Sequence, residues 1–375
     1  MTTTELCADA CESLRAAYAE ARRLGPTRHR DIAERLGVSE GELIAAHAGS
    51  ADPGQPLHAQ RLRGPWPALV TGLEPVGPVM ALTRNRSCVH EKVGTYRDIS
   101  AQGPAGREMG LVLGEDIDLR VFYSRWAHGF AVNEHTDRGL QRSLQFFDAS
   151  GTAVHKVFAR APTDLEAWQA LVQRHRSDDA SPGLAPAATP ALPAERLDTE
   201  VEVEAFRADW AALRDTHEFL GLLRRHGVSR TQALRLADPG FAQRVDDAAA
   251  RELLLGAAEQ ALPIMVFVGN PGMIQIHTGP VGRVEVLGPW LNVLDPAFNL
   301  HLREDHIAAA WAVRKPTTDG LVTSLELFDA HGETIAMLFG ARKPGKPELC
   351  AWRRLVDTLV SAPAWVPETK ACSAC

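Results

Sequence analysis

Histidine 217 is the residue with the greatest capacity for chemistry. Phe206, Trp210, Leu213, His217 and Leu220 follow one another at spacings of 4, 3, 4 and 3, the apolar stripe of an amphipathic helix. The pattern predicts one helix over Val203 to Arg225, with His217 facing protein or a ligand rather than bulk water. A neutral imidazole in that position suits two roles: a satisfied core residue, or an axial ligand to a metal such as haem iron, with Trp and Phe lining an apolar pocket. Periodicity by itself favours the core role.

A second position is Arg120. The stretch Ile117 to Tyr123 alternates as a strand, with Ile117, Leu119, Val121 and Tyr123 on one face and Asp118, Arg120 and Phe122 on the other. The plain reading of Arg120 is a solvated sheet residue. His301, Glu304, Asp305 and His306 have the composition of a two-histidine, one-carboxylate iron site, although such short polar clusters at strand ends are mostly solvated.

Four other motif readings are disfavoured. GARKPGK, residues 340–346, has the spacing of a phosphate-binding loop, but Pro347 replaces the hydroxyl residue that would hold magnesium. No G-x-G-x-x-G follows a strand, so a built-in nicotinamide or flavin site is not supported and any reductant must be external. His29 to His47 has the outline of a helix-turn-helix, yet its second helix carries Glu40 and Glu42, which phosphates repel. Cys372 and Cys375 form a C-x-x-C with neither a following His for covalent haem nor a second pair for zinc.

The elements that must position these residues occur twice. LQFFDASG, residues 144–151, returns as LELFDAHG, residues 325–332, at an offset of 181, and Asp118-Leu119-Arg120-Val121 lies against Asn299-Leu300-His301-Leu302 at the same offset. The segment beginning Arg84-Asn85-Arg86 matches Gly269-Asn270-Pro271 at 185, and Gly37-Val38-Ser39 matches Gly227-Val228-Ser229 at 190. Ordered matches with slowly drifting offsets are the mark of duplication with small loop changes. Each copy opens with helices (Leu14 to Leu24, Asp31 to Leu36; Val203 to Arg225, Arg230 to Leu236). Strands follow, among them Leu140 to Phe147, Val154 to Ala159, Ile264 to Val268, Met273 to His277, Leu321 to Phe328 and Thr334 to Phe339. Helices grouped ahead of strand runs predict an α+β tandem repeat, each half a large antiparallel sheet with helices packed on it. The expected divisions are a first repeat over 1–176, an Ala/Pro-rich linker over 177–199, a second repeat over 200–366 and a tail over 367–375.

Composition agrees with a pair of ordinary domains. The chain has 375 residues, 45% apolar and 23% charged, with a net charge of −7, which disfavours a nucleic-acid partner. The amino terminus lacks a basic segment followed by an apolar run, and no apolar stretch approaches the roughly 20 residues of a bilayer span. The expectation is a cytoplasmic protein without membrane insertion. Six cysteines at irregular spacing do not form the framework of a secreted disulfide-rich domain.

Taken together, several segments carry a family resemblance. Asp215-Thr216-His217-Glu218-Phe219-Leu220, Arg225 to Leu234 (RHGVSRTQAL), Met265 to Asn270 (MVFVGN), Gln275 to Gly279 (QIHTG) and Arg314 to Gly320 (RKPTTDG) resemble the hemin-degrading factor (HemS/ChuX-type) family of bacterial haem-uptake systems. Val89 to Gly94, Asp118-Leu119-Arg120 and Gln145 to Asp148 agree in the first half. The resemblance implies a protein of haem utilisation and iron acquisition that degrades haem to release iron with an external reductant, a haem-oxygenase-like activity. The alternative it leaves open is a non-catalytic carrier in haem trafficking that hands haem to a separate oxygenase. It further implies a haem cleft between the halves, His217 as proximal ligand, and Arg120 on the distal side stabilising developing negative charge. Arg230, Lys315 and Arg342 would lie around the propionates, where cations neutralise carboxylates. An importer, an oxygenase or a reductase are the implied partners. Met337 and Phe339 stand where some relatives carry a glutamine and a tyrosine, which implies fewer hydrogen bonds to the propionates, and His301 stands in the second copy where Arg120 stands in the first.

Overall fold

The computed structural model describes residues 3–25, 28–50, 52, 54–104, 106–188, 194–342 and 345–360, with side chains from residue 9 onward. The C-x-x-C of Cys372 and Cys375 lies outside these residues. The chain forms two compact units, one of residues 1–84, 91–190 and 270–275, the other of 85–90, 191–269 and 276–375. Among the described residues eighteen strands make two nine-stranded sheets, giving the α+β class that the repeat predicts.

The first unit carries helices α1 (Thr3–Arg23), α2 (His29–Leu36), α3 (Glu40–Ala45), α4 (Trp66–Thr71) and α5 (Leu165–Arg174). Its strands are β1 (Leu57–Leu62), β2 (Val79–Arg84), most of β3 (Cys88–Gly94), β4 (Ile99–Gln102), β5 (Met109–Leu113), β6 (Asp118–Phe122), β7 (His128–Thr136), β8 (Gly139–Phe147) and β9 (Ala153–Ala159). The antiparallel runs are β1-β7-β8-β9-β2 and β6-β5-β4. Both faces of the longer run are covered. Val132, Phe130 and Phe147 pack with Tyr18, Leu43 and Ile44 of α1 and α3, whereas Leu144 and Phe146 pack with Trp168 and Leu171 of α5.

The second unit repeats the plan with α6 (Val203–Ala211), α7 (Glu218–His226), α8 (Arg230–Leu236), α9 (Ala249–Glu259) and α10 (Cys350–Asp357). Its strands are β10 (Ala242–Val245), β11 (Ile264–Asn270), the latter part of β12 (Met273–Gly279), β13 (Val284–Leu287), β14 (Trp290–Leu294), β15 (Phe298–Arg303), β16 (Ala309–Thr317), β17 (Gly320–Phe328) and β18 (Thr334–Gly340). The runs are β10-β16-β17-β18-β11 and β15-β14-β13.

The repeated sequence motifs have physical causes. Gly37 and Gly227 end α2 and α7 with φ of 69° and 61°, a left-handed conformation that glycine adopts without Cβ cost. Two residues on, Ser39 and Ser229 accept from the N–H of Glu42 and Gln232 and so start α3 and α8. Gly-Val-Ser is thus a stop followed by a start. α3 is buried at Glu40, Gly41, Leu43, Ile44 and Ala45, which leaves no face to enter a groove. Asn85 and Asn270, the other repeated pair, tie exchanged segments to their units. The Asn270 amide donates to Arg84 O (2.9 Å) and Val154 O (2.8 Å), and that of Asn85 to Gly269 O (3.1 Å) and Ile335 O (2.8 Å).

One expectation is corrected. The helix drawn over Val203 to Arg225 is two helices with a break at 212–217. Asp215 causes it locally: its carboxylate accepts from the backbone N–H of His217 at 2.8 Å, a turn that competes with the helical ladder. Arg214 N–H goes to the Glu218 carboxylate at 2.9 Å, and Thr318 N–H to Arg214 O at 3.0 Å. The stripe therefore holds for Phe206, Trp210 and Leu213, which are buried, and fails after the break, where Leu220 is exposed. Of the expected linker, residues 177–188 lie on the first unit, with Gly183 N–H on Ala45 O and Ala187 N–H on Ala149 O, whereas residues 194–199 belong to the second, where Gln232 Nε2 donates to Arg196 O at 2.7 Å.

Candidate functional site

The break in the helix decides the environment of His217. It occupies the N-cap of α7 with its side chain 91% exposed, so it faces neither core nor protein as the stripe predicts. The exposed ring is still oriented. Its Nδ1 lies 2.6 Å from the Asp215 carboxylate, which also holds the His217 backbone N–H. A carboxylate can only accept, so the bond assigns a proton to Nδ1, and in the neutral imidazole that leaves the lone pair on Nε2. A carboxylate behind the outward-facing nitrogen is the arrangement that orients metal-ligating imidazoles and raises their basicity. The Asp215 carboxyl is held below the usual range, first by the His217 backbone N–H, then by the His217 ring and the charge of Arg342, against a smaller opposing effect of burial.

Arg342 follows β18 and pairs with Asp319 at 3.7 Å, with its side chain 19% exposed. Arg230 and Lys315 meet on one buried carboxylate, Glu326 of β17. Arg230 grips it through Nε at 2.7 Å and Nη2 at 2.9 Å, and Lys315 Nζ lies 2.6 Å from Oε1. The ring of Phe219, two residues beyond His217, covers both cations at 5.1 and 4.5 Å from its centroid, a favourable stacking on its negative face. Burial pushes Lys315 down to about 8, against the pull of Glu326. Burial would raise the Glu326 carboxyl, but Arg230 and Lys315 hold it far below its usual range. Met337 brings its sulfur to 3.2 Å from Arg230 Nη2.

Four of the five residues singled out from the sequence thus belong to the second unit, linked through Asp215, Phe219 and Glu326. Arg120 belongs to the first. It lies half-buried on β6, donating to the Asp118 carboxylate and to Leu119 O (3.2 Å). Burial raises the Asp118 carboxyl and Arg120 opposes it. Sequence reasoning missed Glu326, although an acidic residue between Leu325 and Leu327 in a strand buried on both faces was a legible oddity. The cluster at 301–306 is dispersed among other partners: His301 meets Asn292, Glu304 meets Arg251, Asp305 meets Arg303 and His306 meets Ser87. Among the described residues no group of three His, Cys, Asp or Glu side chains could hold a metal ion.

The chain matches the haemin-degrading HemS/ChuX domain twice, over residues 37–175 and 227–359. It belongs to the haemin-degrading HemS/ChuX family. Within that family it is 39% identical over 357 residues to the hemin transport protein HmuS of Yersinia pestis, covering 93% of this chain and 98% of that one. It is 40% identical to the hemin transport protein HemS of Yersinia enterocolitica over 339 residues, 90% and 94% of the two chains. Holo-PhuS, a heme-binding protein from Pseudomonas aeruginosa, superposes with a TM-score of 0.88 at 50% identity, covering 93% of this chain and 99% of that one. ChuS, described as an E. coli heme oxygenase, superposes at 0.80 with 36% identity, covering 92% and 99%.

Proposed function

We propose that this HemS/ChuX-family protein binds haem through Nε2 of His217 and opens the macrocycle to release iron, drawing electrons from an external reductant. The observation that carries this reading is the His217–Asp215 pair: an exposed imidazole, its Nδ1 proton held at 2.6 Å, with Nε2 open for a bond to a metal. Haem, as substrate, supplies the redox chemistry when bound, and the protein supplies ligation, orientation and charge. Asp215 fixes the tautomer and ring plane. Arg342 offers a partly exposed guanidinium to a propionate, and Arg230 and Lys315 add positive charge that Glu326 and Phe219 hold in place. Arg120 would supply N–H donors to negative charge developing during the reaction. The similarity to holo-PhuS, a heme-binding protein, and to ChuS, described as a heme oxygenase, supports the reading.

The names of the Yersinia relatives, both hemin transport proteins, favour a second reading, a carrier that delivers haem onward. Either role is proposed for the cytoplasm, between a haem importer and an acceptor of haem or iron. Haem-loaded protein is followed under oxygen with ascorbate, catalase being present to remove free peroxide. Loss of the Soret band with a linear tetrapyrrole product establishes degradation. A persistent Soret band overturns degradation in favour of carriage.

A further inference from the structure

The first unit contains a cavity of ≈ 390 Å³ between the β1-β7-β8 face and α5, at the lower end of small-molecule sites. Its polar lining is all donor or neutral. Arg142, Gln60, His58 and the indole of Trp168 line it together with Asn133, and no carboxylate does. Trp168 is 4% exposed, yet among the described residues its indole N–H makes no hydrogen bond, and Arg142 makes neither a hydrogen bond nor an ion pair. The Gln60 Nε2 is buried without a partner. An unpaired buried donor costs about 1–3 kcal/mol, so the buried Gln60 amide, beside the Trp168 indole and the half-buried Arg142 guanidinium that make no bond within the described residues, points to a ligand that pairs with it.

The second copy shows what chemistry closes this place. Register makes the comparison residue by residue: Gln60 faces Ala131 and Asn133 faces Arg142, as Gln243 faces Ala312 and Arg314 faces Thr323. There the Glu348 carboxylate accepts from Thr323 N–H at 2.6 Å and Oγ at 2.8 Å, and the Trp352 indole donates to Thr323 O at 2.9 Å. Gln243 accepts from Arg314, which the Asp357 carboxylate neutralises at 2.7 Å. Two internal carboxylates thus close the place in the second copy, and among the residues lining the first-copy cavity there is none.

We propose that the cavity between β1, β7, β8 and α5 is a binding site for a small organic carboxylate, with Arg142 as its charge partner and Gln60 and Trp168 as neutral donors. The apolar sides of Trp168 and Val172 cover its carbon body. The site is independent of the haem reading, sharing no residue with it.

Calorimetric titration of the haem-free full chain with succinate, and separately with inorganic phosphate, tests it. The expected result is saturable 1:1 binding of succinate, weakened at least tenfold by Arg142→Gln and unchanged by Arg174→Gln, an exposed arginine of α5 outside the cavity. Asn133→Asp, which sets a carboxylate opposite Arg142, is expected to abolish succinate binding without lowering the melting temperature, closing the site as the second copy closes its own. No saturable succinate binding up to about 10 mM, ten times a dissociation constant of about 1 mM, overturns the proposal. So does binding that survives both cavity substitutions, or binding of phosphate in place of succinate.

Discussion

Asp215 does two jobs for His217 at once, holding its backbone N–H and its ring. Because Asn retains the acceptor but not the charge, Asp215→Asn is expected to keep the tautomer and weaken haem affinity about 10-fold, the lower end of outer-shell effects on metal sites; an unchanged dissociation constant removes Asp215 from the ligand assembly. The DTHEF run made His217 legible as a residue of interest, but its helical phase misplaced it in the core, because spacing cannot register that an Asp side chain takes the backbone N–H at 217. Lys315 offers a pH test of the buried cluster. Its folded value of about 8 lies below the ordinary 10.5, so between those limits the unfolded chain binds the extra proton. Stability therefore rises as pH climbs through that window, by about 3–4 kcal/mol at most at about 1.4 kcal/mol per unit. Denaturation midpoints measured across the window are expected to show that rise in the wild type and lose it in Lys315→Met.

Strand periods were the most readable level of the sequence. The alternation over Ile117 to Tyr123 holds in β6 and its flanks, where Ile117, Leu119, Val121 and Tyr123 are all buried. Arg230 to Leu236 is a helix with the predicted ends. What the elements concealed is their exchange of short segments, since no local pattern shows that 270–275 completes the first unit and 85–90 the second. Asn270 satisfies two carbonyls of its adopted unit through one amide. Asn270→Ala strands both, and is expected to lower stability by about 1–3 kcal/mol in urea denaturation; an unshifted midpoint would show that water replaces the amide at no cost.

At the scale of the whole molecule, duplication produced two non-equivalent units. The second gathers Arg230 and Lys315 around Glu326, whereas the first gathers His29, Tyr18 and Arg22 around Glu134. One haem per chain is the expected stoichiometry, with its ligand drawn from the second unit. On the proposed function Arg120 acts on the reaction, and Arg120→Ala is expected to leave haem affinity within about twofold while slowing degradation at least 10-fold, in line with the loss of one preorganised donor. Equal rates in variant and wild type would exclude Arg120 from the reaction. The measurement that bears most directly on the account is an absorption titration of the purified chain with hemin, run beside His217→Ala. The account predicts a Soret shift saturating at one equivalent in the wild type and its loss, or an affinity at least 10-fold weaker, in the variant. An identical spectrum and affinity in the two proteins contradicts it, because the iron would then be held by some other side chain.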